Sequence, residues 1–129
     1  GLRLAVAACA GKGRVAMNEA IVTKVLREAD ALLATPKHWT RHVLSDYNYG
    51  TKCFCTIGAV YEAAYAAGVE GFRARDACFS RLASCLPTYN PRFIERTNLS
   101  QFNDTPSTTF KDVKELFRKA IEQGESSHV

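Results

Sequence analysis

The longest apolar stretch of the chain is CFCTIGAVYEAAYAAG, residues 53–68, in which Thr56 and Glu62 are the only plainly polar residues. A helix at a protein surface carries one apolar stripe, whereas this stretch would be apolar on every side of a helix. Its many alanines and Gly58 would let neighbouring segments come close without leaving voids. The pattern therefore predicts a buried central helix, which Gly68 ends in the left-handed conformation.

Four other segments show the helical period of apolar residues or the start signals of a helix. Thr35-Pro36 is a capping residue followed by a first-turn proline, and Thr109 with Asp112 forms a capping pattern. Three of the predicted helices cover residues 18–34, 76–86 and 109–124. The fourth is a short helix that opens at Thr35-Pro36 and carries His38, Trp39, Val43 and Leu44.

The remaining segments contain turn signals or fit no single element. We expect a turn-rich loop at 46–52, a connection at 69–75, one helical turn at 98–101 and a turn at 103–107, while 89–97 is ambiguous. No stretch alternates apolar and polar residues, so no strand is predicted. The predicted fold class is therefore all-α: a single compact irregular (orthogonal) bundle of five or six helices around the buried central helix.

Length and charge set the predicted domain bounds. A chain of 129 residues, 47% of them hydrophobic, forms one globular domain, and no apolar run is long enough to span a membrane. The net charge is +4, but Arg3, Lys12 and Arg14 precede Met17, the only methionine. We expect residues 1–16 to be an N-terminal arm that either comes from the expression vector or lies upstream of the natural start. Residues 17–124 are expected to form the helical domain, and residues 125–129 a frayed tail.

The five cysteines do not form the pattern of a small disulfide-rich secreted protein, and an odd number cannot all pair within one chain. Cys78 and Cys85 lie seven positions apart, which on one helix separates them by two turns, roughly 10 Å, beyond the reach of a disulfide. We therefore expect reduced thiols and a cytoplasmic protein.

One candidate chemistry is that of a thiol-dependent enzyme. The helix macrodipole would lower the pKa of a cysteine at the start of the central helix. The candidates are Cys53 or Cys55 as nucleophile, His38 or His42 as base, and Asn103 or Asp104 as the orienting group. Cysteines in so apolar a helix more often pack as small hydrophobic residues, and we favour that explanation.

The same four Cys and His residues could ligate a metal, since His38 and His42 are four apart on the predicted helix. Structural zinc sites, however, use cysteine pairs spaced two to four apart, whereas Cys53 and Cys55 are separated by a single residue. No phosphate loop, HExxH or GxSxG motif is present. We therefore predict no metal and no cofactor.

A basic and aromatic group of residues around the second predicted helix suggests a nucleic-acid surface. Its members are Lys37, Arg41, Tyr47, Tyr49 and Lys52. No recognition motif accompanies it, and the last helix alternates charges as an ordinary solvated face does. Nucleic-acid binding is therefore the third of the functions that we consider.

Several short motifs together resemble a family of small uncharacterised domains in bacteria and their phages. They are Trp39 after the helix end LLATP, Cys55-Thr-Ile-Gly58-Ala59, Phe102-Asn103-Asp104 before Thr108-Thr109, and residues 113–120. The resemblance covers about residues 29–121 and implies a helical domain without an assigned activity. It suggests one structural or binding constellation, made of Trp39, Cys55, Gly58, Asn103, Asp104 and Thr109.

We favour a non-catalytic interaction or accessory domain in the cytoplasm, related to phage proteins. We expect it to bind an unidentified protein and no membrane. The alternatives are the thiol-dependent enzyme and the weak nucleic-acid binder. We expect the Asn103 and Asp104 side chains to bond backbone amides in a turn or at a helix N-terminus. We also expect Gly58 and Ala59 at a close helix crossing, and at least one of Cys53 and Cys55 buried.

Overall fold

The computed structural model describes residues 19–126, so the predicted arm at 1–16, the Met17 start and the end of the predicted tail lie outside the described residues. The described part is mostly helical and also contains one small antiparallel sheet. Its elements are α1 over residues 19–32, a 3-10 helix Pro36–His38, β1 Ser45–Asn48, β2 Thr51–Phe54, α2 Thr56–Ala66, α3 Gly68–Ser84, α4 Glu95–Asp104 and α5 Phe110–Ser126. No helix within residues 19–126 is both long and apolar enough to cross a bilayer.

All five helices contribute to one hydrophobic core. The helical period of α1 and α5 places their apolar residues on one face, as predicted, and burying each large side chain contributes about 1.5–3 kcal/mol. The largest fully buried apolar side chains are Val25 and Leu26 of α1, Leu33 just after it, Val60 of α2, Phe79 and Leu82 of α3, Leu99 of α4, and Val113 and Phe117 of α5.

The prediction that the fold is strictly all-α is wrong, because residues 45–54 form a β-hairpin where a loop and the start of a helix were expected. Asp46 pairs with Cys53 in its antiparallel register. All four residues of β1 are exposed, so no face of the strand is buried and its sequence, SDYN, need not alternate apolar and polar residues. The turn residues Tyr49 and Gly50 have φ angles of 49° and 86°, the positive values that a two-residue type I′ turn needs.

Tyr49 is an unfavourable residue for this turn, and Tyr49→Asn is expected to raise the free energy of unfolding by about 1 kcal/mol. A non-glycine residue pays a steric cost in the left-handed region, which asparagine tolerates better than tyrosine. The tyrosine side chain is fully exposed, so its removal takes little packing from the fold. Urea denaturation measures the change. Tyr49→Phe keeps the cost and should leave stability unaltered; an equal gain in both variants would contradict the strain explanation.

The central helix is shorter than predicted and is preceded by Cys55, which caps its N-terminus. Every residue from 56 to 60 is buried, whereas Glu62 and Tyr65, further along the helix, are exposed. Gly68 does adopt a positive φ of 80° after the helix, but α3 begins at that residue. The segment 69–75 is therefore helical and not a connection.

The structure also changes two other predicted boundaries and confirms one helix start. The short second helix is reduced to one 3-10 turn, because the backbone at Trp39 is extended and bridges Phe54 of β2. The predicted single turn at 98–101 belongs to the ten-residue helix α4, which includes Asn103 and Asp104. The capping pattern of α5 is confirmed: the Asp112 amide donates to Thr109 Oγ1, and the Thr109 amide donates to Asp112 Oδ2.

Gly124 lies inside α5 and does not end it, since the helix continues to Ser126. A Cβ at Gly124 would lie 2.1 Å from Arg81 Nη1 and 2.3 Å from Thr23 Oγ1. The buried Arg81 guanidinium crosses this position and donates to Thr23 Oγ1 at 2.8 Å and to Glu19 Oε2 at 2.5 Å. The glycine is therefore needed for the close passage of an arginine that ties α3 to α1.

Candidate functional site

A buried asparagine at the end of α4 joins three parts of the fold. Asn103 is fully buried, and its Oδ1 accepts hydrogen bonds from the Thr56 amide at 2.9 Å, the Thr56 hydroxyl at 2.8 Å and Trp39 Nε1 at 2.7 Å. Its Nδ2 donates to the Thr40 carbonyl at 3.0 Å. Asn103 therefore satisfies the first turn of α2 and fixes residues 39–40 against it.

Asp104, the next residue, holds the segment that follows. Its Oδ1 accepts from the His42 amide and from Asn103 Nδ2, both at 2.9 Å. His42 has a φ of 71°, an unusual conformation for a residue other than glycine, and this hydrogen bond supports it. The predicted bonding of Asn103 and Asp104 to backbone amides is confirmed. The Thr56 amide lies at the N-terminus of α2, one of the two predicted places, whereas the His42 amide lies in neither.

Gly58 provides the close approach that the sequence predicted, but its neighbour is not a helix. A Cβ at Gly58 would lie 1.8 Å from the Leu44 carbonyl oxygen. The same oxygen accepts a hydrogen bond from the Cys55 amide at 3.1 Å. The segment before β1 is therefore seated directly on the start of α2, and the Leu44 side chain is left 54% exposed.

Both candidate nucleophiles of the alternative enzyme, Cys53 and Cys55, are buried, which confirms the expectation that at least one would be. Cys53 lies on β2, and Cys55 Sγ accepts a hydrogen bond from the Gly58 amide at 3.3 Å. Burial raises the pKa of the Cys55 thiol, against the lowering effect of its bonds to the helix N-terminus. The macrodipole therefore does not produce the low thiol pKa that the sequence argument required.

Thiol labelling of the native protein at neutral pH is expected to modify Cys85 before Cys53, Cys55 and Cys78. Cys85 is half-exposed, whereas the other three are buried, and burial raises the pKa of Cys78 to about 12. Peptide mass spectrometry after a short pulse of reagent gives the order. Faster labelling of Cys55 than of Cys85, with the fold still native, would support a reactive thiol.

The two candidate bases lie in different surroundings. His38 Nδ1 is 2.7 Å from Thr35 Oγ1, within its own 3-10 turn. His42 is largely exposed, and its Nδ1 lies 3.7 Å from Asp104 Oδ2. Among residues 19–126, no three His, Cys, Asp or Glu side chains come together in a metal-binding group.

The residues of the predicted nucleic-acid surface do not form a uniform basic patch. Lys37, Tyr47 and Tyr49 are exposed, but Lys52 Nζ lies 4.0 Å from Glu62 Oε1. The Arg41 guanidinium lies 4.4 Å from the centre of the Trp39 ring, and it donates to the Thr108 carbonyl. Arg41 is thus part of the packing around Trp39.

Of the six residues in the predicted constellation, five are connected through the Asn103 network. Trp39 and Asp104 bond to Asn103, while Cys55 precedes Thr56 and bonds to Gly58. Thr109 caps α5: within residues 19–126 its amide and hydroxyl bond to Asp112 and not to this network. The network is mostly buried, and its bonds to Thr40 and His42 hold the surface segment 40–44 in place.

An apolar surface surrounds that segment, and we call it the Leu44 face. It consists of Leu44 before β1, of Tyr61 and Tyr65 on α2, of Phe72 on α3, and of Ile94 before α4. Leu44 and Tyr61 line both of two adjoining depressions, one reaching Tyr65 and Phe72, the other Ile94. Tyr61 is held from below by an edge contact with Phe79, with ring centres 5.3 Å apart. Grouped exposed apolar side chains of this kind are typical of interaction sites.

A separate cleft of about 690 Å³ lies between α4, the start of α5 and residues 85–90. Its buried wall includes Asn98, whose Nδ2 donates to the carbonyls of Asn90, Phe93 and Ile94. Asn98 Oδ1 in turn accepts from the Asn90 amide at 2.7 Å. The Asn98 side chain therefore holds the loop before α4. Its amide oxygen and nitrogen are already used in these hydrogen bonds and are not available to a ligand in the cleft.

Sequence reasoning missed Thr56, Leu44 and Asn98 as site or support residues. Thr56 was taken as a polar exception within a buried helix, and Leu44 as part of a short helix. Their roles depend on tertiary contacts with Asn103 and Gly58, and no local signal marks them. For Asn98, the capping-like pattern at 98–101 was a misleading signal, since its side chain bonds to preceding carbonyls.

Comparison with known protein families places most of the chain in one family. The model of a family described as a family of unknown function (DUF6197) matches residues 17–123. Curated proteins and solved structures give no match to the chain. The matched range includes α1 to α4, the hairpin, the whole Asn103 network and nearly all of α5. The chain therefore belongs to this family of unknown function.

Proposed function

We propose that the chain is a small, non-catalytic interaction domain that binds a partner protein through the Leu44 face. The observation that carries this proposal is the grouping of Leu44, Tyr65, Phe72 and Ile94, each 49–79% exposed, around two adjoining depressions. Covering such side chains would remove apolar surface from water, which is the main driving force of most protein association.

The way in which the fold presents Leu44 supports this proposal. Segment 40–44 is fixed by Asn103 at Thr40, by Asp104 at His42, and by the Cys55 amide at Leu44. A surface that is already ordered loses little conformational entropy on binding. The polar network therefore has a role in recognition without contacting the partner.

The exposed hairpin tip gives further support. Tyr49 occupies a left-handed position that other residues fill at lower cost, and nothing in the described fold packs on its ring. Tyr47 is also 67% exposed. Tyrosine contributes large contact area at low entropy cost in protein interfaces, so contact with a partner would explain its presence here.

The cysteines support a packing role over catalysis and a reducing compartment. Cys55 is used as a helix cap, its pKa is raised by burial, and all four cysteines within residues 19–126 are free. Thiols remain unpaired mainly in reducing compartments. We therefore place the domain in the cytoplasm, and we retain from its motifs a bacterial or phage origin as part of the proposal.

A photo-crosslinking amino acid at Tyr65 tests this function in cells that make the protein. We expect a covalent adduct with a distinct partner protein, lost when Leu44→Ser is added, because both side chains belong to the same face. The matched control places the same crosslinker at Lys24, an exposed position on α1. Equal adducts at both positions, or none at Tyr65, would contradict the proposal.

A further inference from the structure

We infer that the segment which covers the Leu44 face carries carboxylates beside its apolar residues, and that these pair with Arg75 and Arg96. The inference rests on the proposed function and gives the chemistry of the partner. Both arginines are bound to aromatic residues of the face. The Arg75 guanidinium lies 3.9 Å from the centre of the Phe72 ring, and Arg96 Nη1 donates to Tyr61 Oη at 2.7 Å.

Neither guanidinium forms a salt bridge in the described part of the chain. Arg75 otherwise donates only to the Phe72 carbonyl, at 2.7 Å. Asp76 interacts with Arg96 electrostatically but lies beyond salt-bridge distance. In contrast, Lys52, another cation of this region, already has Glu62 within 4.0 Å. Two positive charges at the edge of the face therefore lack a close anionic partner.

A partner that covers Tyr61 and Phe72 also removes water from these two guanidinium groups. Losing that hydration is unfavourable unless new hydrogen bonds or opposite charges replace it. A purely apolar segment would leave Arg75 and Arg96 uncompensated. Carboxylates at the corresponding positions would form charge-assisted hydrogen bonds with them, and such bonds are about twice as strong as neutral ones.

The acidic residues of the same region argue against a nucleic acid as the occupant. Asp104 lines the depression that contains Arg96, and Glu62 lines the one that contains Phe72. A polyanion with a phosphate at every nucleotide would bring negative charge close to these carboxylates. A peptide can place single carboxylates beside the arginines and apolar side chains elsewhere.

The hairpin edge is poorly suited to accept a partner strand. β1 is an edge strand of the two-stranded sheet, but Asp46 Oδ1 accepts a hydrogen bond from the Tyr47 amide at 2.8 Å. A carboxylate at this position occupies a donor that strand addition would use, which is a common way to protect a sheet edge. The partner segment, with its apolar and acidic residues, is therefore expected to bind by placing side chains in the two depressions and not by adding a strand.

Selection from a displayed library of random short peptides tests this inference on the full chain. Peptides are selected on the native protein and depleted on Leu44→Ser/Tyr65→Ser, so that those retained require the face. We expect the retained peptides to be enriched in Asp and Glu relative to the unselected library. Their affinity should fall about fivefold in Arg75→Gln/Arg96→Gln, since charge pairs at the edge of an interface stay partly hydrated and contribute modestly.

The matched control is Lys24→Gln/Lys119→Gln, which removes the same charge from exposed positions of α1 and α5 and should leave affinity nearly unchanged. Face-dependent peptides without acidic enrichment, or with equal losses in both double variants, would overturn this inference alone. Absence of any face-dependent peptide would overturn the proposed function as well. Salt-sensitive binding of a single-stranded RNA oligonucleotide that Arg75→Gln/Arg96→Gln abolishes would replace both with nucleic-acid recognition.

Discussion

Asn103→Ala is expected to lower the free energy of unfolding by about 3–4 kcal/mol. The substitution removes the acceptor shared by the Thr56 amide, the Thr56 hydroxyl and Trp39 Nε1, and the donor to the Thr40 carbonyl. Each buried polar group left without a partner costs about 1–3 kcal/mol, although water entering the vacated space offsets part of the sum. Urea denaturation followed by Trp39 fluorescence would report both the stability and the surroundings of the ring.

Gln101→Ala is the control for this prediction. Gln101 lies on the same helix and is exposed, and its side chain takes no part in the hydrogen bonds described for residues 19–126. We expect its replacement to change stability by about 0.5 kcal/mol or less, as for most surface positions. A loss below about 1 kcal/mol in Asn103→Ala would mean that the network is not what fixes segment 39–42.

Gly58→Ala is expected to destabilise the protein by about 3 kcal/mol, at the upper end of the usual cost of overpacking. The added methyl would overlap the Leu44 carbonyl oxygen, which is backbone and cannot rotate away. Relief requires the segment before β1 to move off α2, which would break the hydrogen bond from the Cys55 amide. Thermal unfolding measures the loss of stability. Displacement of Leu44 should also weaken binding of the proposed partner protein to the Leu44 face.

Gly68→Ala provides a matched comparison at the other end of α2. A Cβ there would contact nothing within 4 Å, but the φ of 80° is unfavourable for alanine. The expected loss is about 1 kcal/mol, from the backbone conformation alone. If Gly58→Ala were no worse than Gly68→Ala, the close approach of Leu44 to α2 would not contribute to stability.

Local patterns were sufficient for the parts of the fold that depend on local interactions. The 3.6-residue period located α1 and α5, because an amphipathic helix must place its apolar residues on one side. The capping residues Thr109 and Asp112 located the start of α5, since they bond only within its first turn. The burial of Cys53 and Cys55 followed from the apolar stretch in which they occur.

The hairpin could not be predicted in this way. Its strands have four residues each, and β1 is exposed throughout, so the alternation that marks a half-buried strand is absent. Tyr49 replaces the asparagine, aspartate or glycine that normally signals a type I′ turn at that position. Pairing of Asp46 with Cys53 is supported by the seating of the hairpin on α2, which is a tertiary contact.

The sequence by itself determined that most of the chain is helical and that Cys53 and Cys55 are buried, and the family resemblance placed Asn103, Asp104 and Gly58 in one constellation. Only the tertiary structure decided that Asn103 joins α4 to α2 and Trp39, that Gly58 receives a backbone carbonyl, and that Leu44 faces outward. The physical reason is distance along the chain: Asn103 and Thr56 are 47 positions apart, and hydrogen bonds of that separation leave no periodic pattern. Those contacts position Leu44 within the candidate surface, so the location of that surface had to come from the fold.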